Sequence, residues 1–136
     1  MRSARRLALL LAAAGLTAVF AACGTGGVGP PRVDVTGFWT GTWSAPYMGS
    51  GTVEFRLEQK GAEVTGELVW RGSMEGPRAG ASVNPSGTLN GHVAGAVFSF
   101  DRSPSSVKGD LTVEGDEMKG TVTTTRDAMV RVRRQR

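Results

Sequence analysis

The sequence predicts an all-β fold, a small closed antiparallel up-and-down β-barrel of about eight strands that follows an N-terminal leader. Three observations lead there. A five-residue phrase of apolar, polar, glycine, polar and apolar residues occurs five times: Trp39-Thr40-Gly41-Thr42-Trp43, Val64-Thr65-Gly66-Glu67-Leu68, Leu89-Asn90-Gly91-His92-Val93, Val107-Lys108-Gly109-Asp110-Leu111 and Met118-Lys119-Gly120-Thr121-Val122. At a period of two, each copy turns its apolar residues and its glycine to one face and its polar residues to the other. From Thr36 onward, short alternating runs follow one another with brief links, and no helical period supplies a cover for their apolar face. A single sheet of eight such strands would leave two exposed edges and that face uncovered, whereas closure removes both problems. The phrase glycines stand at 41, 66, 91, 109 and 120, with no constant spacing, so they are not the unit of a tandem repeat. An inward glycine instead relieves crowding where a narrow barrel coils, and a neighbouring ring can lie over it.

The strands are expected in the following order. The first covers residues 38–43. The second, residues 52–58, sends Val53, Phe55 and Leu57 inward and Glu54, Arg56 and Glu58 outward. Lys60-Gly61 sits in a hairpin link, and the third strand carries Val64, Gly66, Leu68 and Trp70 on its inner face. Residues 71–86 are irregular and rich in Gly and Pro, with a short fourth strand around 79–83. The fifth covers 88–93, and Ala94-Gly95 turns into a sixth in which Ala96, Phe98 and Phe100 share a face. After a turn at Ser103-Pro104-Ser105, the seventh places Val107, Gly109, Leu111 and Val113 inward. Gly115-Asp116 is a tight turn into the eighth, with Met118, Gly120, Val122 and Thr124 inward. A last run, 128–133, alternates Val130 and Val132 against Arg131 and Arg133.

The leader has the form of an export signal. Arg2, Arg5 and Arg6 precede the apolar stretch 7–20, which is shorter than the roughly 20 residues a membrane-spanning helix needs. It ends Phe20-Ala21-Ala22-Cys23, and small residues before a single cysteine resemble the bacterial lipoprotein signal, although Phe20 stands where that family prefers Leu. The resemblance implies cleavage before Cys23, acylation of its thiol with palmitate-type chains, and an extracytoplasmic, membrane-anchored protein. The alternative is an ordinary secretory signal with Cys23 as a free thiol. Cys23 is the only cysteine, so no intramolecular disulfide can form. The expected organisation is a signal peptide at 1–22, lipidated cysteine and Gly/Pro tether at 23–35, and a barrel domain at 36–136. About 12 tether residues would span roughly 40 Å when stretched. Gly24 follows the cysteine where an aspartate would favour inner-membrane retention, so the outer membrane is expected where the host has one.

Cleavage would remove three of the 16 basic residues and none of the 12 acidic ones, leaving 13 against 12. Four of those 13 are Arg131, Arg133, Arg134 and Arg136, so the body is mildly acidic and no nucleic-acid surface is expected. Chemistry is sparse. His92, the one histidine, falls on an outward position with no second histidine or spare cysteine to share a metal. Glu54, Glu58, Glu63, Glu67, Asp110 and Glu114 also fall outward, away from any pocket in which a general acid and base could pair. No serine sits in a recognisable nucleophile frame. No enzyme, cofactor or metal is expected.

Gly37-Phe38-Trp39 is a Gly-x-Trp at the entrance of the first strand, and Gly41-Thr42-Trp43 is a second. Followed by an antiparallel meander, this resembles the calycin barrels: lipocalins, avidins and their bacterial lipocalin-like relatives. The resemblance implies that Trp39 plugs one barrel end under a late basic residue, Arg126 or Arg131, in a cation–π contact. The chain lacks the Thr-Asp-Tyr loop of many lipocalins and their C-terminal helix. Two functional expectations follow. One is a small apolar ligand in the lumen against Trp39, Trp43, Phe55, Trp70, Phe98 and Phe100, with residues 71–86 as a lid and Met74 as an adaptable contact. The other is a solidly packed barrel serving as a structural or interaction module for an envelope protein, with Phe38, Tyr47, Met48 and Val69 at or near the surface. Arg134 and Arg136 are expected either to finish the last strand or to fray toward anionic head groups.

Overall fold

A computed structural model describes residues 29–47, 49–73, 85–102, 107–124 and 126–136. Eight strands follow in chain order: β1 (Gly37–Ala45), β2 (Gly49–Lys60), β3 (Glu63–Ser73), β4 (Gly87–Ala94), β5 (Val97–Arg102), β6 (Val107–Glu114), β7 (Glu117–Thr123) and β8 (Asp127–Arg134). Each pairs antiparallel with its sequence neighbour, and β8 returns to β1 through the register Trp39↔Arg134 to Ser44↔Met129. The result is the closed antiparallel barrel that the alternation predicts. The expected fifth to last strands are β4 to β8, while the expected fourth, at 79–83, lies outside the described residues. The signal peptide, Cys23 and the turn at 103–105 lie outside them too.

The period of two that built the strands also sorts their side chains. In β6 the order is buried, exposed, buried, exposed from Val107 to Glu114, and β8 alternates likewise from Asp127 to Arg133. Side chains buried to within 2 % of their surface include Trp39, Phe55, Phe98, Leu68, Leu89, Leu111 and Met118, and no polar or charged side chain is buried among the described residues. Removing one such Leu or Phe from water is worth about 1.5–3 kcal/mol.

Phrase glycines stand where backbones touch. A Cβ on Gly41 would run into the carbonyl of Arg131 on β8, and one on Gly109 would run into the ring of Phe100 on β5. The first neighbour is backbone and the second a buried ring, so neither can yield cheaply. That is the coiling and ring-over-glycine arrangement the sequence suggests.

The two ends differ. At one end, two-residue links at Gly61-Ala62, Gly95-Ala96 and Gly115-Asp116 join β2 to β3, β4 to β5 and β6 to β7. Gly61, Gly95 and Gly115 have φ near +60°, the left-handed region open to glycine at little cost. Residues 29–35, assigned to the tether on composition, and Thr36 cross this end as a strap. Pro31 bridges Gly95, and the Arg32 N–H donates to the Gly95 carbonyl at 2.9 Å. Val35 is fully buried beneath the barrel, its N–H donating to Gln59 Oε1 at 2.8 Å, and Gln59 Nε2 donates to the Val33 carbonyl at 3.2 Å. Because β4–β5 lies across the closed sheet from β1, the strap spans the barrel end.

Candidate functional site

The interior has three aromatic layers. At the strapped end, Trp39 is fully buried, and its Nε1–H donates to the Val35 carbonyl at 2.8 Å. The Arg134 guanidinium lies 4.4 Å from the ring centroid, closing the end with a cation–π contact. The partner is therefore neither Arg126 nor Arg131. Arg131 stands opposite Thr42 and points out to an ion pair with Glu117 at 3.0 Å, and Arg126 is exposed in the β7–β8 link. Arg134 shares the parity of Val130 and Val132, and its register partner is Trp39.

Nor do the last residues fray. Arg134 donates to the carbonyls of Asp34, at 2.6 Å, and Thr36 and approaches Asp116 at 3.2 Å. Arg136 pairs with Asp116 at 2.9 Å, and the Gln135 N–H donates to the Phe38 carbonyl at 2.8 Å. The hydrogen bond from Arg136 holds the Asp116 carboxyl below the usual carboxylate value, with the charge of Arg134 adding to it. Asp34 is lowered by the Thr36 backbone N–H and then by its hydroxyl, and Glu117 by Arg131.

The middle layer is Phe55, Phe98 and Phe100, whose centroids lie 5.5–6.4 Å apart in two edge-to-face contacts and one stacked pair. All three are at least 96 % buried, so each ring's neighbours are chiefly other rings and aliphatic side chains.

The third layer sits at the opposite rim. Trp43 stacks on Trp70 with centroids 4.8 Å apart and planes at 27°. Trp43 is seated on the facing glycines Gly51 and Gly72, where an added Cβ would come within 2.7 Å of its ring. Its Nε1–H donates to the Arg71 carbonyl at 2.8 Å. β3 continues from Leu68 to Ser73 beyond the start of β4 at Gly87, making this wall of the rim taller. Ser86 closes the ladder there: its hydroxyl accepts from the Trp70 N–H at 2.8 Å and lies 3.3 Å from the Trp70 carbonyl. All six ring-bearing candidates thus face inward in one column, and Trp70 is the one that is only half-buried. Met74 and most of 71–86 lie outside the described residues.

Outside the barrel, a cleft of about 240 Å³ runs over β4, β5 and β6, lined by His92, Asn90, Asp101, Lys108 and Asp110 among others. Ser99 donates to Asp110 at 2.6 Å and Lys108 stands 3.9 Å from Asp101, so the cleft is a solvated, internally paired surface. Among the described residues no group of three or more His, Cys, Asp or Glu could hold a metal ion. Of the expected surface apolar residues, Tyr47 is 94 % exposed, Phe38 and Val69 are half-buried with Arg56 over the Phe38 ring at 5.3 Å, and Met48 lies outside the described residues. Met129, 61 % exposed on β8 near the same rim as Tyr47, was not anticipated.

Fold and site together define a small closed antiparallel β-barrel with an aromatic interior that reaches solvent at Trp70. No protein-family model, curated protein or solved structure matches the chain.

Proposed function

We propose that this chain is a non-enzymatic lipoprotein of the bacterial cell envelope, anchored through Cys23, whose barrel binds a small apolar molecule at its rim against the stacked Trp43–Trp70 pair. The observation that carries the reading is the half-buried Trp70, stacked at 4.8 Å on a tryptophan held by Gly51, Gly72 and the Arg71 carbonyl. A rigid, partly solvated aromatic platform offers dispersion and stacking to a flat or greasy guest at little ordering cost. The close packing of the phenyl layer beneath it favours a guest at the rim over one deep in the lumen. Kinship with the calycin barrels is part of the proposal, supported by Gly37-Phe38-Trp39 together with Arg134 over Trp39. Location at the outer membrane, where the host has one, rests on Gly24 after the cysteine.

A second reading is favoured by Tyr47 and Met129: a packed barrel whose rim docks another envelope protein. Native purification followed by organic extraction and mass spectrometry separates the two. A stoichiometric small molecule that disappears in Trp70→Ala supports the binder. An empty barrel that co-purifies with a protein, and loses it in Tyr47→Ala/Met129→Ala, supports the docking module.

A further inference from the structure

The chain enters the barrel at its strapped end. Gly29 and Pro30 lie against the β4–β5 link, where the Gly95 N–H donates to the Pro30 carbonyl at 3.1 Å and to that of Gly29 at 3.3 Å. From Cys23 to Gly29 there are six Cα steps, which span at most about 22 Å whatever their conformation. The strap itself adds no reach, because Val35 is fully buried and Arg134 and Gln59 hold its carbonyls. β2 runs the full height of the barrel, from Gly49 at the rim to Lys60 at the strapped end, and at the usual rise and tilt of a small barrel its 12 residues put the rim about 25–30 Å beyond that end.

Resting on the reading of Cys23 as the acyl anchor, we infer that the strapped end of the barrel faces the bilayer and that the rim bearing Trp43, Trp70, Tyr47 and Met129 points away from it. With the rim inserted in the membrane, the strapped end would stand about 25–30 Å above the surface, beyond the reach of about 22 Å from Gly29 to an anchored Cys23. The exposed Tyr47 and Met129 are therefore not a second membrane contact of the same chain. The charges at the strapped end are largely spent on one another: Lys60 with Glu58, Lys119 with Glu114, Arg133 with Glu117, and Arg134 and Arg136 with Asp116. The orientation is thus imposed by the short tether and not by anionic head groups, and a guest or partner reaches the rim from the aqueous side.

The test uses the full acylated protein in vesicles of phosphatidylcholine, with and without phosphatidylglycerol. Ala62→Cys in the β2–β3 link at the strapped end and Ser50→Cys at the rim end of β2 each carry one fluorophore, and a quencher rides on a lipid head group. Quenching several-fold stronger at 62 than at 50 in both vesicle types is expected, and inserting about ten Gly/Ser residues after Val28 should shrink the difference. Equal or reversed quenching on vesicle-bound protein, a preference that vanishes without phosphatidylglycerol, or one unchanged by the insertion overturns the orientation alone. A wild-type chain that fails to co-sediment with vesicles and partitions like its Cys23→Ser variant overturns the anchor reading as well.

Discussion

The Arg134 guanidinium lies 4.4 Å over Trp39 while its nitrogens donate to the carbonyls of Asp34 and Thr36, so one side chain ties the end of β8 to the strap and to the buried indole. A cation–π contact with a desolvated ring contributes about 1–2 kcal/mol, and hydrogen bonds from a charged donor about 1.5–3 kcal/mol each, less where solvent reaches them. Arg134→Ala should therefore lower the stability measured by urea unfolding by about 2–4 kcal/mol. Arg134→Lys should recover less than half of that, because a point-like ammonium cannot cover the ring and reach two carbonyls together. Ending the chain after Arg133 should destabilise to a similar extent, in contrast to the near-silent truncation that a frayed tail would allow. An unchanged urea midpoint in all three variants would show that the strap holds without this clamp.

Strap, β8 terminus and β6–β7 link form one unit, and its electrostatics predict a pH response. Asp116 is held below the ordinary carboxylate value by the hydrogen bond from Arg136 and the nearby Arg134, and Asp34 by the Thr36 N–H and hydroxyl. A depressed folded-state value means the stabilisation is fully present above the unfolded value near 4 and is lost as pH falls through the lower folded value. The urea midpoint should stay flat from about pH 7 to 5 and fall below about 4, and Asp116→Asn should flatten that fall. Because these pairs are solvated, molar salt should flatten it too, and a midpoint that drops equally in Asp116→Asn excludes this clamp as the acid-sensitive element.

This unit also marks the limit of what was legible beforehand. Strand positions, inward faces and closure could be read because alternation at a period of two is written in the order of residues. The strap could not: Val33 and Val35 are its only large apolar residues outside proline, and what fixes them is a register 24 or more residues away. Arg134 carried a usable signal, since it continues the parity of Ala128, Val130 and Val132. A frayed tail follows only if its charge is weighed above its phase. Ser86, Gly51 and Gly72 at the rim carried none, because each acts through a partner that only the folded chain brings near.

Across the whole molecule, closure divides the interior into a packed centre that holds the barrel together and a partly solvated rim that the proposed binding would use. Phe98 touches both Phe55 and Phe100 at the centre of the column and is fully buried, so Phe98→Ala removes contacts on several sides at once. Its cost should be about 3–5 kcal/mol, close to the whole stability of a small domain. Trp70 has one stacked neighbour and a partly solvated face, so Trp70→Ala should cost about 1–2 kcal/mol. Binding should run the other way. An apolar fluorescent probe titrated onto delipidated barrel should bind wild type, lose most of its affinity in Trp70→Ala, and keep it in Phe98→Val, which retains a filled centre at lower stability. If Trp70→Ala binds as wild type does while Phe98→Val does not, the guest lies in the middle of the barrel and the rim platform is only a lid on the core.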